Sequence, residues 1–424
     1  MKSNINLPKY IYLFFSLIIL FNNIKSARNV TCTKDDAISN TKCFDDVLIF
    51  GDSNMHYRAG HSASNKDGIF ILEFSNDGET GNRIFYGLKP NGRYYFPNEK
   101  PTKEIILEGS QQNNKPIKAR YESMNAFVSL KNDINKNKEY FFSISTYFCL
   151  MEIYDFTNEN VVSDAMYTYH YFGVPVFSFK FDLLESNYSN QMNYYLAFSN
   201  NVDESEFGDK MSIKKISFSN FNLNKDDIIA SKPVNSKLND RTVTSFLIDD
   251  TNEDKFKLLF VIYTGTNRRY KYNVYQLNDL TEKCIDKELF NHDLATKGRG
   301  TNGEGYGLYF KIIYLGNKDI AMLYFISNYG DQKPILQILT VAEKDGCFGF
   351  NLKIYHQIEQ SINTNLVLND FIKISKTRLA FISTKGESNF FIMLLDLYAD
   401  NKNVQLRTYE HDISPYKMAK ELSV

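Results

Sequence analysis

Short apolar runs recur along this chain at intervals of 54–64 residues: 140–148 (YFFSISTYF), 194–199 (YYLAFS), 256–263 (FKLLFVIY), 320–327 (IAMLYFIS) and 379–383 (LAFIS). The later copies share a grammar. A Gly-bearing polar turn follows each, at 264–267 (TGTN), 328–332 (NYGDQ) and 384–388 (TKGES), short enough for a hairpin. A second strand comes next: 271–277 (KYNVYQL), 334–341 (PILQILTV) and 389–398 (NFFIMLLDLY). Then a more polar, alternating strand appears, as at 350–358 (FNLKIYHQI) and 404–410 (VQLRTYE), and a leading strand such as 309–315 or 371–375 opens the next unit. Alternation marks a strand with one wet face. A continuous apolar run marks a strand covered on both faces.

Four short strands per repeat at this period predict small antiparallel sheets stacked radially, an all-β fold of the β-propeller type. The front third is less regular. Its strands at 47–50, 68–74, 83–86 and 104–107 count as one irregular blade, and clearer blades begin near 118, 168, 243, 306 and 366. The expected ring has six or seven four-stranded blades and occupies 46–424. The tail 416–424 (YKMAKELSV) reads as another leading strand, which either closes the ring with the N-terminus or marks a chain that continues into a longer protein. Tandem β-sandwiches are the competing architecture, but such domains need about 100 residues each, longer than this period.

Composition agrees with strands. The 424 residues are 43% hydrophobic and 15% aromatic, the aromatics being Phe and Tyr with no Trp. Without Trp, the Gly-His and Trp-Asp marks of one large propeller class cannot occur, and double-Gly kelch marks are missing too. A net charge of -1 with no basic face in the linear sequence argues against nucleic acid as a partner. Lys2 and Lys9 precede an apolar run at 10–21 (YIYLFFSLIILF), too short to span a bilayer and suited to a signal peptide cut after Ser26. The expectation is a signal peptide at 1–26, a cysteine-flanked N-terminal loop at 27–45, and a mature chain with no membrane span, secreted or displayed at the cell surface.

The five cysteines fit that compartment. Cys32 and Cys43 flank a short polar loop and are expected to pair. Cys149 reads as a buried thiol at a strand end, and Cys284 and Cys347 fall near the outer edges of consecutive repeats, so their pairing stays open. Glycosylation sequons stand at Asn29 and Asn187.

Candidate chemistry is sparse. The segment 47–56 (VLIFGDSNMH) resembles the opening block of the SGNH (GDSL-type) hydrolases, which implies Ser53 as nucleophile. The resemblance spans ten residues; the family's Asp-x-x-His and Gly-x-Asn blocks are missing, and its fold is α/β. Asp250, Asn252 and Asp254, beside Asp249, place oxygen ligands at alternate positions like the first half of a calcium loop, and integrin-like propeller loops share that opening. Lys255 stands where the loop's Gly belongs and Val261 where its bidentate Glu belongs. Gly298, Gly300 and Gly303 imitate a nucleotide-binding spacing, but a strand follows instead of a helix, so no cofactor is expected. His56 and His61 lack a third ligand for zinc. The run 268–272 (RRYKY) mixes cations and aromatics as a glycan surface does, or as ordinary cross-strand pairs do. The reading is a binding module for extracellular protein or glycan ligands. Two alternatives stand beside it: an extracellular hydrolase, either an esterase using Ser53 or a glycosidase with acids from different blades, and an ectodomain fragment of a longer membrane-anchored protein.

Overall fold

The computed structural model describes residues 28–31, 41–51, 57–64, 67–76, 83–89, 93–96, 102–105, 123–131, 138–145, 150–155, 162–167, 178–186, 193–200, 211–219, 228–234, 241–264, 270–289, 308–326, 334–359, 367–385, 389–399 and 403–409. Three strands come first: β1 (Arg28–Thr31), β2 (Thr41–Cys43) and β3 (Asp46–Gly51). Blade 1 is β4 (Tyr57–Ser64), β5 (Phe70–Asn76), β6 (Arg83–Leu88) and β7 (Thr102–Ile105). Blade 2 is β8 (Ser123–Val128), β9 (Tyr140–Ser145), β10 (Leu150–Asp155) and β11 (Val162–Tyr167). Blade 3 is β12 (Ser178–Ser186), β13 (Asn193–Asn200), β14 (Met211–Ile216) and β15 (Ile228–Pro233). Blade 4 is β16 (Arg241–Ile248), β17 (Leu258–Thr264), β18 (Tyr270–Gln276) and β19 (Glu282–Glu288). Blade 5 is β20 (Leu308–Gly316), β21 (Asp319–Ile326), β22 (Ile335–Lys344) and β23 (Cys347–Glu359), with β2 added parallel on its outer edge. Blade 6 is β24 (Val367–Lys373), β25 (Arg378–Lys385), β26 (Asn389–Asp396) and β27 (Asn403–Tyr409), into which β3 is inserted.

Each blade is an antiparallel meander in chain order, and the first strand of every blade neighbours the first strand of the next. The contacts run β4 to β8 to β12 to β16 to β20 to β24 and back to β4. That circuit is a closed ring of six innermost strands, so the chain is a six-bladed β-propeller. The sequence left six or seven blades open, and its one irregular and five clear blades match the six; the strand it misplaced is 47–50. Read from sequence as the start of an irregular first blade, this strand instead pairs antiparallel with β26 and parallel with β27 in blade 6. Ring closure is therefore made by the N-terminal β3, while 416–424 lies outside the described residues. The segment 27–45 is less of a loop than its composition implies, because β1 edges blade 6 beyond β27 and β2 edges blade 5.

The periodic apolar runs are the second strands, and their alternation shows why they read as continuously apolar. In β17, Leu258, Phe260 and Ile262 face blade 5, whereas Leu259, Val261 and Tyr263 face blade 3. In β21, Ile320, Met322 and Tyr324 pack toward blade 4, and Ala321 and Leu323 toward blade 6. β25 repeats the scheme, with Leu379 and Phe381 on one face and Ala380 and Ile382 on the other. Each such Leu, Ile or Phe contributes roughly 1.5–3 kcal/mol of burial. One boundary shifts: residues 254–256 form a 3-10 turn and the strand begins at Leu258.

The meander fixes two ends. With the end where innermost strands begin taken as the upper one, first-to-second and third-to-fourth strand connections lie at the lower end. Second-to-third connections and all blade-to-blade crossings lie at the upper end.

Candidate functional site

At the upper end of blade 4, on its blade 3 side, polar groups converge from three strands. Asn273 of β18 is 1% exposed, flanked by the fully buried rings of Tyr263 and Tyr275. Its Nδ2 donates to the Tyr275 hydroxyl at 3.0 Å, and its Oδ1 accepts from the backbone N–H of Asp286 at 2.8 Å. Tyr263 donates its hydroxyl to Asp286 Oδ1 at 2.9 Å, and lies 3.3 Å from Asn273 Oδ1. Lys271 Nζ reaches the same Asp286 oxygen at 2.7 Å. The site is a fan of hydrogen bonds opening outward onto one carboxylate.

A break in the ladder builds it. Across β18 and β19 the register steps from Tyr272↔Lys287 to Val274↔Cys284, so Ile285 and Asp286 together oppose Asn273. Asp286 adopts φ 54°, a left-handed conformation that stores on the order of 1–3 kcal/mol in a residue with a side chain. The buried Asn273 amide satisfies the displaced N–H. Such bulges re-aim side chains; here the result is a carboxylate 54% exposed, held by a tyrosine and a lysine. Burial pushes the Tyr275 hydroxyl up to about 12, with the hydrogen bond from Asn273 opposing and Glu282 adding to the rise. Tyr270, at the start of the same strand, is likewise raised to about 12 by burial. Both remain neutral donors at physiological pH.

The acidic segment at the lower end of blade 4 does different work. Asp250 accepts from the Tyr314 hydroxyl and from the backbone N–H of Asn317 at 3.2 Å, docking on the β20–β21 turn of blade 5. That turn is left-handed at Gly316, Asn317 and Lys318, with φ of 116°, 53° and 69°. Lys318 bonds Glu253 and lies 3.9 Å over the Phe256 ring. The Glu253 carboxyl is lowered chiefly by that hydrogen bond. From blade 6, Lys373 lies 5.8 Å from the Tyr314 ring centre, its amine lowered by burial while Asp250 opposes the fall. Burial raises the Tyr314 hydroxyl, and its bond to Asp250 adds to this. Asn252 and Asp254 are exposed, and among the described residues no three His, Cys, Asp or Glu groups converge on a metal position. The segment is seen as an inter-blade tie.

The other expected site residues are scattered. Ser53, Cys32, Asn187, His56 and 298–303 lie outside the described residues. Asn29 is on β1, paired with Gln405. His61 is on β4. Cys43 is disulfide-bonded to a partner outside the described residues. Cys284 and Cys347 form a disulfide with Cα atoms 5.5 Å apart, joining the outer strands of blades 4 and 5. Among the described residues no helix is long and apolar enough to cross a membrane. Sequence reading singled out Tyr270–Lys271–Tyr272 but missed Asn273 and Asp286. The only trace of their role was an Asn amid strand residues, which alternation alone does not distinguish.

No family model matches the chain, and no curated protein matches it. Solved structures align with most of the chain at low scores. A fucoside complex of the Aleuria aurantia lectin is 10% identical, with 85% of this chain and 98% of that chain covered and a TM-score of 0.36. A triple-arginine mutant of AofleA from Arthrobotrys oligospora is 8% identical over 88% and 94%, with a TM-score of 0.45. A putative exported protein of Bacteroides fragilis is 9% identical over 88% and 95%, with a TM-score of 0.37.

Proposed function

We propose that this chain is an extracellular six-bladed propeller that works by binding, and that it takes a glycan at the upper end of blade 4. The observation that carries the reading is the exposed Asp286 carboxylate held by Tyr263 and Lys271 over a buried Asn273. Sugar recognition needs acceptors and donors fixed in direction, because each ring hydroxyl is both, and loose side chains lose ordering entropy on binding. Here the carboxylate is fixed before any ligand arrives, its lysine supplies a donor, and it stands 54% exposed. The Cys284–Cys347 disulfide supports an oxidising compartment. The apolar run at 10–21 supports a signal peptide.

The test is a glycan array probed with the secreted chain beside Asp286→Asn and Tyr263→Phe. Asn tolerates the left-handed backbone of position 286, and the backbone N–H to Asn273 survives, so the bulge is kept while the charge is lost. Binding that falls at least about tenfold in both variants is the expected result, since removing one partner of a charged hydrogen bond costs roughly 1.5–3 kcal/mol. An array with no ligand for the wild type, or a ligand indifferent to Asp286, overturns the proposal.

A further inference from the structure

The strand that closes the ring is held at its lower end by a carboxylate in an unfavourable place. Between β2 and β3, the Asp45 backbone N–H donates to Leu394 O at 2.8 Å, and the Asp45 carboxylate accepts from the backbone N–H of Asp396. On the other side of the same turn, Lys42 donates its ammonium to Ala399 O. The N-terminal segment therefore grips the β26–β27 turn from both sides. Asp396 shapes that turn, its Oδ1 accepting from the N–H groups of Tyr398 at 2.9 Å and Ala399 at 3.1 Å. Phe44 and Val47, on either side of Asp45, are buried in the core between blades 5 and 6. The Asp45 carboxyl is half-buried among these groups.

Three charged groups bear on Asp45. Asp396 from β26 repels its ionised form, while Lys42 and Arg378, the latter from the start of β25, attract it. Asp46, its chain neighbour, is buried and a second acid on the same segment. Burial is the largest influence and lifts the Asp45 carboxyl to about 6, with the Asp396 N–H bond opposing it.

We propose that the ring closure is a pH-responsive clasp, tightest with Asp45 neutral in mildly acidic surroundings and looser once Asp45 ionises. The direction follows from linkage. A carboxyl that holds its proton more tightly in the closed ring than in the released strand adds stability to the closed state at low pH. That stability is lost as pH rises from the ordinary carboxylate value of 3.8 through about 6. The opening is read at β3, which follows Asp45 directly and, among the described N-terminal strands, is the one inserted within a blade.

Hydrogen exchange on the full secreted chain tests this, comparing β3 and β27 peptides with β21 and β22 peptides of blade 5 as internal reference. Relative to that reference, latch opening in the wild type is expected to rise severalfold between about pH 5 and pH 7.5, below the roughly tenfold that the full shift allows over that window because solvent screens a half-buried group. Asp45→Asn keeps an acceptor for the Asp396 N–H and is expected to flatten the profile. If that variant is poorly secreted, Asp396→Asn serves instead, expected to move the wild-type midpoint to lower pH by removing the repelling carboxylate. Latch exchange that tracks the reference at every pH, a profile unchanged in D45N, or an unmoved midpoint in D396N overturns the proposal.

Discussion

The ring is held at two places by opposite means. Between blades 4 and 5 the seam is redundant. Phe256 meets Phe348 edge-on at 5.5 Å, Tyr272 meets Phe350 edge-on at 5.3 Å, the Asp250 segment docks below, and a disulfide joins the outer strands. At blade 6 closure rests on one six-residue strand, β3, and the few residues that lead into it. The first seam has several independent supports, so losing any one is absorbed by the rest. The second is a cooperative latch: removing β3 separates β26 from β27 and exposes two strand edges.

The sharpest way to break the latch is Phe44→Ala. Phe44 is 1% exposed, and its ring meets Phe381 edge-on at 5.2 Å, pinning the β2–β3 link between blades 5 and 6. Truncating a buried Phe costs about 3–5 kcal/mol. The expected outcome is a large fall in the unfolding midpoint, with β3 and β27 amides losing protection before those of blade 4. Equal loss of protection around the whole ring would show that β3 is no weaker than the other seams.

A smaller effect is expected from cutting the covalent tie. Replacing Cys284 and Cys347 together by Ala removes a constraint that spans 63 residues, a change typically of about 2–4 kcal/mol, acting mainly through the unfolded chain. Because the aromatic cluster persists, exchange protection in β17 and β22 should hold while the thermal midpoint falls. Selective fraying of blade 4 would mean that the seam depends on its disulfide after all.

How much of this was legible differs between the two regions for a physical reason. Blades 4 to 6 announce themselves because each second strand is covered on both faces, so Leu258 through Tyr263 are apolar without a break. The first-strand and fourth-strand roles of 309–315 and 350–358 follow from the same logic and match β20 and β23. The latch is illegible because strand propensity says that 46–51 is a strand but not which sheet receives it. The partners of Val47 and Leu48, Met393 and Ile392, lie more than 340 residues away. The blade 4 site is hidden differently. Asn273 and Asp286 come together only through a register slip, and a slip depends on the pairing geometry of two strands. The pairing of Cys284 with Cys347 stayed open because it needs the lateral packing of two blades.

The smallest expected effect is also the most specific. Asp250→Ala removes the acceptor for the Tyr314 hydroxyl and the Asn317 N–H at an exposed position, a loss of about 1 kcal/mol, close to what the redundant seam hides. The informative readout is Lys373. Burial already lowers its amine, and the carboxylates of Asp250 and Asp249 hold it up against that pull and against Lys376. With Asp250 gone, the Lys373 pKa should drop further, leaving more free amine at neutral pH and faster acylation by a lysine-directed reagent than in the wild type. Lys287, exposed on the outer strand of blade 4, is the internal control for reagent and exposure. Unchanged Lys373 reactivity would mean that the Asp250 segment ties blade 4 to blade 5 alone, and that its charge does not reach the innermost strand of blade 6.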